Sequence, residues 1–169
     1  MPRPIETRRL RLTPVAVGDE DWIGSLFGMP EIRRHLGERA LQPHEIVVSS
    51  GDPASIMAFW TIGTGSGERI GLIGLRPPST SALRLRAIGW RSLELFVALD
   101  PQFWGCGLAR EAIETVAAEA GQDGVTFALV AVVDEANARA HRLMQRCGFL
   151  ELGKASEGSL PLVIYERAL

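Results

Sequence analysis

The chain has 169 residues, 46% of them hydrophobic and 22% charged, with a formal net charge of −2. That length suits one domain with a sizeable core, and so balanced a charge leaves no overall footprint for nucleic acid. No run reaches the ~18 apolar residues of a membrane span, the opening MPRPIETRRL lacks the apolar stretch of a signal peptide, and the two cysteines, Cys106 and Cys147, make neither a CxxC nor a metal-ligand spacing, so the expectation is a cytoplasmic protein with free thiols and no metal.

Two basic clusters stand out locally: Arg3, Arg8, Arg9 and Arg11 near the start, and Arg84, Arg86 and Arg91 in the middle. Such clusters read as solvated faces. RRLRLTPV (Arg8–Val15) alternates charged and apolar residues, which predicts a strand with one wet face. Asp19 then caps a helix over about Glu20–Phe27, with Trp22, Ile23 and Leu26 as its apolar side. A short helix follows around Glu31–Gly37, with Pro30 just inside its start. SIMAFWTI (Ser55–Ile62) and Ile70–Leu75 read as two strands joined by the GSGE turn. The ALRLRAIGW stretch after Pro77-Pro78 fits either an extra strand or an irregular excursion. Leu93–Leu99 is a strong strand that Pro101 stops. In the next segment Ala112, Ile113, Val116, Ala117 and Ala120 form one face of an amphipathic helix, ended by Gly121 and Gly124. Val125–Val133 is nearly continuous in apolar residues, as a central strand buried on both faces would be. A helix over about Glu135–Arg146 ends at Gly148, and Phe149–Lys154 and Leu160–Ala168 close the chain as two strands. The order β-α-α-β-β-β-α-β-α-β-β predicts an α/β (α+β) fold with a mixed sheet, parallel at its centre.

The stretch FWGCGLAREAIETVAAEA carries the chemistry. The first four amides of a helix have no partner inside it, and here no Ser, Thr, Asp or Asn precedes the helix to cap them. Gly105 and Gly107 leave the backbone bare. The helix dipole adds about half a positive charge, and Arg110 adds a whole one. Two readings fit: an anion site, with phosphate the commonest occupant, or a glycine cap completed by water with Glu111 offsetting Arg110. A Walker loop is absent and the dinucleotide fingerprint is incomplete, since Arg110 stands where its third glycine would be.

The run LELFVALDPQFWGCGLAREAI resembles the central motif of the GNAT acetyltransferases. It is most similar to that of their RimJ/RimL-type branch, which acetylates protein N-termini and other amines. Trp104, Gly105, Gly107, Ala109, Glu111 and Ala112 match in place. ETRRLRLTPVAVGDEDW resembles the opening strand of that branch. ANARAHRLMQRCGF resembles a later signature, through Asn137, Arg142, Leu143, Met144, Gly148 and Phe149. Two frames fit the glycine motif, one from Gln102 and one from Trp104. The second keeps Glu111 and Ala112 in register, which leaves Gln102 as a turn residue.

The resemblance implies a single GNAT-like domain over residues 1–169, with a twisted mixed sheet of about six to seven strands flanked by about four helices. It implies acetyl-CoA as donor, with the pyrophosphate on the amides of Gly105, Gly107, Leu108, Ala109 and Arg110 in the loop that also holds Trp104 and Cys106. The pantetheine arm would pair with the backbone of Val97 and Leu99, and Asn137 would approach it near the thiol. Cys106 is expected to be a bystander as a nucleophile, because the chemistry needs no covalent enzyme intermediate.

Acetyl transfer to an amine needs a base, an oxyanion donor and a means of releasing thiolate. Glu94 is the expected base and the amide of Val97 the expected oxyanion contact. Family members often have Tyr where this chain has Met144, or Ser where it has Ala140, which leaves His141 or Tyr165 as the substitute acid, or a thiolate that departs without a side-chain acid. The acceptor would be a protein N-terminus or a small amine, attacking directly in a ternary complex, and a homodimer would be in keeping with the family. The region Trp22–Glu45, expected to line the acceptor groove, mixes Glu31, Glu38 and Glu45 with Arg33, Arg34 and Arg39 and selects no acceptor. The alternative is a non-catalytic acyl-CoA-binding module of the same fold.

Overall fold

The computed structural model describes residues 2–36, 41–52, 54–79, 92–122 and 124–169. In RRLRLTPV the alternation becomes strand β2 (Leu10–Pro14), with Leu10 and Leu12 buried and Arg11 outside. A two-residue strand, β1 (Ile5–Glu6), precedes it and pairs with it antiparallel. Helices α1 (Glu20–Gly28) and α2 (Pro30–Leu36) follow, with Ile23, Leu26 and Ile32 on their buried sides. Asp19 occupies the N-cap of α1, but its side chain makes no cap bond. Its carboxylate instead accepts from the Ala16 amide at 2.9 Å and from Arg69 at 2.7 Å.

Helix α3 (Pro43–Gly51) was not expected from periodicity. Its signal is local: Pro43 occupies the first turn, and the Glu45 carboxylate reaches back to the Gln42 amide at 2.7 Å, as in a capping box. Strands β3 (Ala58–Thr64), β4 (Arg69–Arg76) and β5 (Ser92–Leu99) form an antiparallel run. The ALRLRAIGW stretch lies outside the described residues, as do Arg84, Arg86, Arg91, Glu38 and Arg39.

A 3₁₀ turn at Pro101–Phe103 leads to α4 (Leu108–Gly121), whose five expected apolar positions are all buried. Burying side chains such as Ile113 and Val116 stabilises the fold by about 1.5–3 kcal/mol each, which is what ties this helix to the sheet. Strand β6 (Ala128–Asp134) starts three residues later than its apolar run suggests, because Val125 and Phe127 are exposed. Helix α5 (Ala138–Arg146) and the hairpin of β7 (Leu150–Glu157) and β8 (Leu160–Ala168) complete the order.

The strands of the described residues make one sheet of eight, ordered β1-β2-β3-β4-β5-β6-β8-β7. That is more strands than the sequence suggested, and the described residues hold five α-helices rather than four. Among the described strands, parallel pairing is confined to β5 with β6, and every other pair is antiparallel. One core lies between the sheet and α4 and α5, around Ile73, Leu95, Ile113 and Val116. The other lies under α1 to α3, around Ile23, Ile46, Phe59 and Leu72. Trp104 packs against both. Among the described residues no helix is long and apolar enough to cross a membrane.

Candidate active site

The parallel pair among the described strands is short. β5 and β6 are joined at Ser92–Ala128, Leu93–Leu129 and Glu94–Val130, and no further. Beyond Glu94, β5 continues against β4 and β6 continues against β8. The two strands therefore part, and a cleft of ≈ 980 Å³ opens between them. That lies near the upper end of the roughly 300–1,000 Å³ usual for small-molecule sites.

The parting leaves backbone groups of β5 without a strand to bond. The Asp100 amide donates to Ile70 O, so the peptides of Glu94, Phe96 and Ala98 also face β4. Those of Leu93 and Leu95 face the other way, where the Leu95 amide closes the last bridge to β6, and those of Val97 and Leu99 face the cleft. Leu99 O is already used, accepting from the Trp104 indole at 2.7 Å. Val97 thus offers the free edge that an amide-bearing arm could join like an added strand.

At the far end of β5 the chain turns into α4. Its N-cap is Gly107, with φ 77° and ψ 5°, and it has no side-chain cap bond. Gly105 is left-handed too, at φ 80°. Only the Glu111 amide is taken inside the helix start, by Gly107 O at 3.1 Å. Among the described residues, the amides of Gly105, Gly107, Leu108, Ala109 and Arg110 donate to no protein acceptor. Glu111 does not offset Arg110. Its carboxylate is held by Thr7 Oγ1 at 2.6 Å, Arg9 Nε at 2.6 Å and the Arg9 amide at 3.1 Å. Arg9 also donates to Cys106 O at 2.9 Å, so a residue of the first basic cluster braces the loop from behind. Burial opposes ionisation of Glu111, but those bonds outweigh it and hold its carboxyl below its ordinary value.

The structure brings most of the expected residues to this cleft. Glu94, Val97, Leu99, Trp104, Gly105, Gly107, Leu108, Ala109, Arg110 and Asn137 all line it, as do Ala140 and Met144. Cys106 does not: it is exposed, with its thiol beside Trp104 O at 3.7 Å. Gln102 is in the 3₁₀ turn, its amide on Asp100 Oδ1. Asn137 has a local task as well, capping α5 through the Ala140 amide at 3.1 Å.

The two catalytic expectations separate. Glu94 is 3% exposed, and both its oxygens are engaged. Oε1 accepts from Arg76 Nη2 at 2.6 Å, and Oε2 accepts from the Ser79 amide at 2.8 Å. Tyr165 is buried on β8 and is not among the residues lining the cleft. Its hydroxyl meets His141 Nδ1 at 2.8 Å, while His141 Nε2 meets Glu135 O at 3.1 Å. A carbonyl can only accept, so Nε2 carries the proton and Tyr165 donates to Nδ1. Burial, with the nearby charge of Glu151, raises the Tyr165 hydroxyl above its ordinary value.

Three features of the cleft were not placed there by the sequence reading. The Arg139 guanidinium stacks on Trp104, 4.5 Å from the ring centroid. Arg142 and Arg146 stand on the same helix side of the cleft. His35 of α2 and Asp134 of β6 meet across it at 2.6 Å, although 99 residues separate them in sequence. No spacing rule reaches that far. Only the strand order shows that α2 lies over the end of β6.

A family model described as an acetyltransferase (GNAT) domain matches residues 9–150. No curated protein matches the chain. Among solved structures, a protein from Bordetella pertussis assigned to the GnaT-family acetyltransferases is similar at 22% identity and TM-score 0.75, over 99% of this chain and 100% of that one. The ribosomal-protein-S5-alanine acetyltransferase of Vibrio fischeri is similar at 10% identity and TM-score 0.72, over 99% and 97% of the two chains. A protein from Bacillus halodurans reaches TM-score 0.81 at 12% identity, over 98% and 90%. At such identities these likenesses show the fold.

Proposed function

The chain belongs to the acetyltransferase (GNAT) domain family, and from that premise we propose that it moves an acetyl group from acetyl-CoA to a primary amine, by direct attack in a ternary complex. Acyl transfer from acetyl-CoA in general comes with the family. The amine, and the kinship with the RimJ/RimL-type branch, are our reading of the motif residues around Trp104 and Asn137. A protein N-terminus and a small amine both fit.

The observation that carries the reading is the row of unpartnered amides from Gly105 to Arg110 at the mouth of the cleft. A helix start with bare backbone favours a pyrophosphate. The cationic side chains of Arg110, Arg139, Arg142 and Arg146 beside it favour further phosphate charge. The free edge at Val97 suits the pantetheine amides, and its amide suits a developing oxyanion. When bound, acetyl-CoA supplies the activated acyl carbon. The protein holds the donor, orients the amine and moves the protons.

Glu94 lies in the cleft wall on the face of α1 to α3. Accepting a proton there would disturb its bonds to Arg76 or to the Ser79 amide. In this reading it stands as the fixed anion that faces an incoming amine. A second reading has its own support. Ala140 and Met144 line the cleft where family members often place Ser or Tyr, so a module that holds acyl-CoA without turnover also fits.

The test is calorimetric titration with acetyl-CoA, followed by thiol release against benzylamine, spermidine and tri-alanine. Binding with turnover supports transfer, and binding with none supports the module. Absence of binding at millimolar acetyl-CoA removes both. Glu94→Gln is expected to raise the KM of the amine and to spare kcat. A collapse of kcat alone would return Glu94 to the role of base.

A further inference from the structure

We propose that His35 takes the proton from the attacking amine and that Asp134 holds it in the accepting tautomer, an inference that rests on the acetyl-transfer reading above. His35 comes from α2, on the acceptor side of the sheet. Asp134 ends β6, the strand that forms the far wall of the cleft. Both line the cleft that also holds Glu94 and Asn137.

The pair is built from several sides. His35 Nδ1 lies 2.6 Å from Asp134 Oδ2, and the side chains are 24% and 6% exposed. The other carboxylate oxygen accepts from the Ala136 amide at 3.0 Å, which fixes the plane of the group. Burial opposes ionisation of Asp134. The bonds from His35 and Ala136 outweigh it and keep the carboxyl below its ordinary value. An ionised carboxylate only accepts, so the proton of a neutral His35 sits on Nδ1 and the lone pair on Nε2. Among the described residues Nε2 has no hydrogen-bond partner, yet it is not a sealed, unsatisfied atom. It is therefore available to a molecule in the cleft.

The comparison with the other polar groups there is what selects it. Both oxygens of Glu94 are occupied by protein donors. Both nitrogens of His141 are occupied, and it does not line the cleft. Glu31 also lines the cleft, but it is exposed and nothing among the described residues orients it. His35 is the one that offers an unoccupied lone pair backed by an oriented anion, the arrangement that positions a general base.

The proton count closes on the reaction itself. The amine arrives neutral. As its nitrogen bonds to the acyl carbon and the carbon–sulfur bond breaks, one N–H proton passes to Nε2 and from there to the leaving sulfur. Amine and thioester become amide and thiol, and His35 is again neutral. Asp134 is a positioning residue throughout and exchanges no proton.

Nitrogen-15 NMR of the imidazoles tests the pair without any acceptor. In the wild-type protein at mildly alkaline pH, His35 is expected as the Nδ1–H tautomer, and Asp134→Asn is expected to shift it toward Nε2–H. A wild-type Nε2–H tautomer, or one that Asp134→Asn leaves unmoved, overturns the proposal. His35→Ala is expected to bind acetyl-CoA as the wild type does while losing about 10²- to 10⁴-fold in thiol release to the amines named above, with part of the loss restored by free imidazole. Unchanged thiol release in His35→Ala also overturns it. Failure of the wild-type protein to bind acetyl-CoA would instead overturn the acetyl-transfer reading and leave the tautomer result standing.

Discussion

Replacing Gly107 by alanine separates what the backbone of this loop does for folding from what it does for binding. Gly107 holds φ 77° and ψ 5° at the N-cap of α4. An alanine there carries its Cβ into the left-handed region at a cost of about 1–2 kcal/mol. Crowding adds nothing, because the nearest atom to the new Cβ would be Arg9 Nη2 at 3.5 Å, an ordinary contact. The cost is therefore about 1–2 kcal/mol. A chain of 169 residues loses roughly 2–4 °C of Tm per kcal/mol, so scanning calorimetry should show a drop of about 2–8 °C. Asparagine tolerates the left-handed conformation better and should recover much of that loss. Neither variant should recover binding, since both put a side chain on backbone that a pyrophosphate must approach. A loss of about tenfold or more in acetyl-CoA affinity is expected for each, read as a smaller ligand-induced rise in Tm. An unchanged Tm in Gly107→Ala would refute the strain argument. Wild-type affinity in Gly107→Asn would refute the claim that the ligand sits on this backbone.

Glu111→Gln tests the brace behind the loop and carries a pH signature. The Glu111 carboxyl lies below its ordinary 4.5 when folded, so its contribution is complete above that value and is lost as pH falls through the folded value. At neutral pH the variant should be less stable by about 1–2 kcal/mol, with Arg9 partly screened by solvent, and the gap in urea midpoints should narrow as pH falls below the ordinary carboxyl value. A gap that holds constant with pH would rule out the carboxylate as its source. The cysteines give a chemical check on burial: Cys106 is exposed, whereas burial keeps Cys147 at 2% exposure and pushes its thiol up to about 11. Ellman's reagent should therefore find one rapid thiol in the native protein and two in denaturant, and Cys106→Ser should leave acetyl-CoA binding intact. Two rapid native thiols would contradict the packing of Cys147.

How legible this molecule is in its sequence depends on the distance between the groups involved. The apolar stripe of α4, the alternation in β2 and the bare helix start at Gly107 are each written within a few residues, and they read correctly. β6 misled at its start because Val125 and Phe127 are apolar but exposed; composition cannot tell which side of a strand's first residue the sheet begins. Helix α3 was missed because IVVSS suggests a strand as readily as a helix. What decides it is Pro43 and the Gln42–Glu45 bond, a cap rather than a periodicity. In the site, the loop from Trp104 to Arg110 was legible as a contiguous motif. The partners of Glu94, the stacking of Arg139 on Trp104 and the His35–Asp134 pair were not, since each joins elements that only the sheet order brings together.

The parallel pair of the described strands would also bring the proposed donor site and the proposed proton acceptor into one cleft. Two parallel strands end at the same edge of a sheet, so the segments that follow them start side by side. Here α4 follows β5 and α5 follows β6. An antiparallel pair would have sent the two helix starts to opposite edges. The two positive helix ends are not equivalent, however. The amide of Ala140 at the start of α5 is satisfied by Asn137, whereas the start of α4 has only Gly107 and no side-chain cap. An anion entering the shared mouth therefore meets one helix that is already capped and one that is not, and it is drawn to α4. The strand that leads into the capped helix ends in Asp134, which is thereby left to bind His35 rather than the ligand's phosphates. Short parallel pairing followed by parting, with one helix start capped and the other bare, is thus what would divide the cleft into the proposed phosphate end and the proposed proton-transfer end.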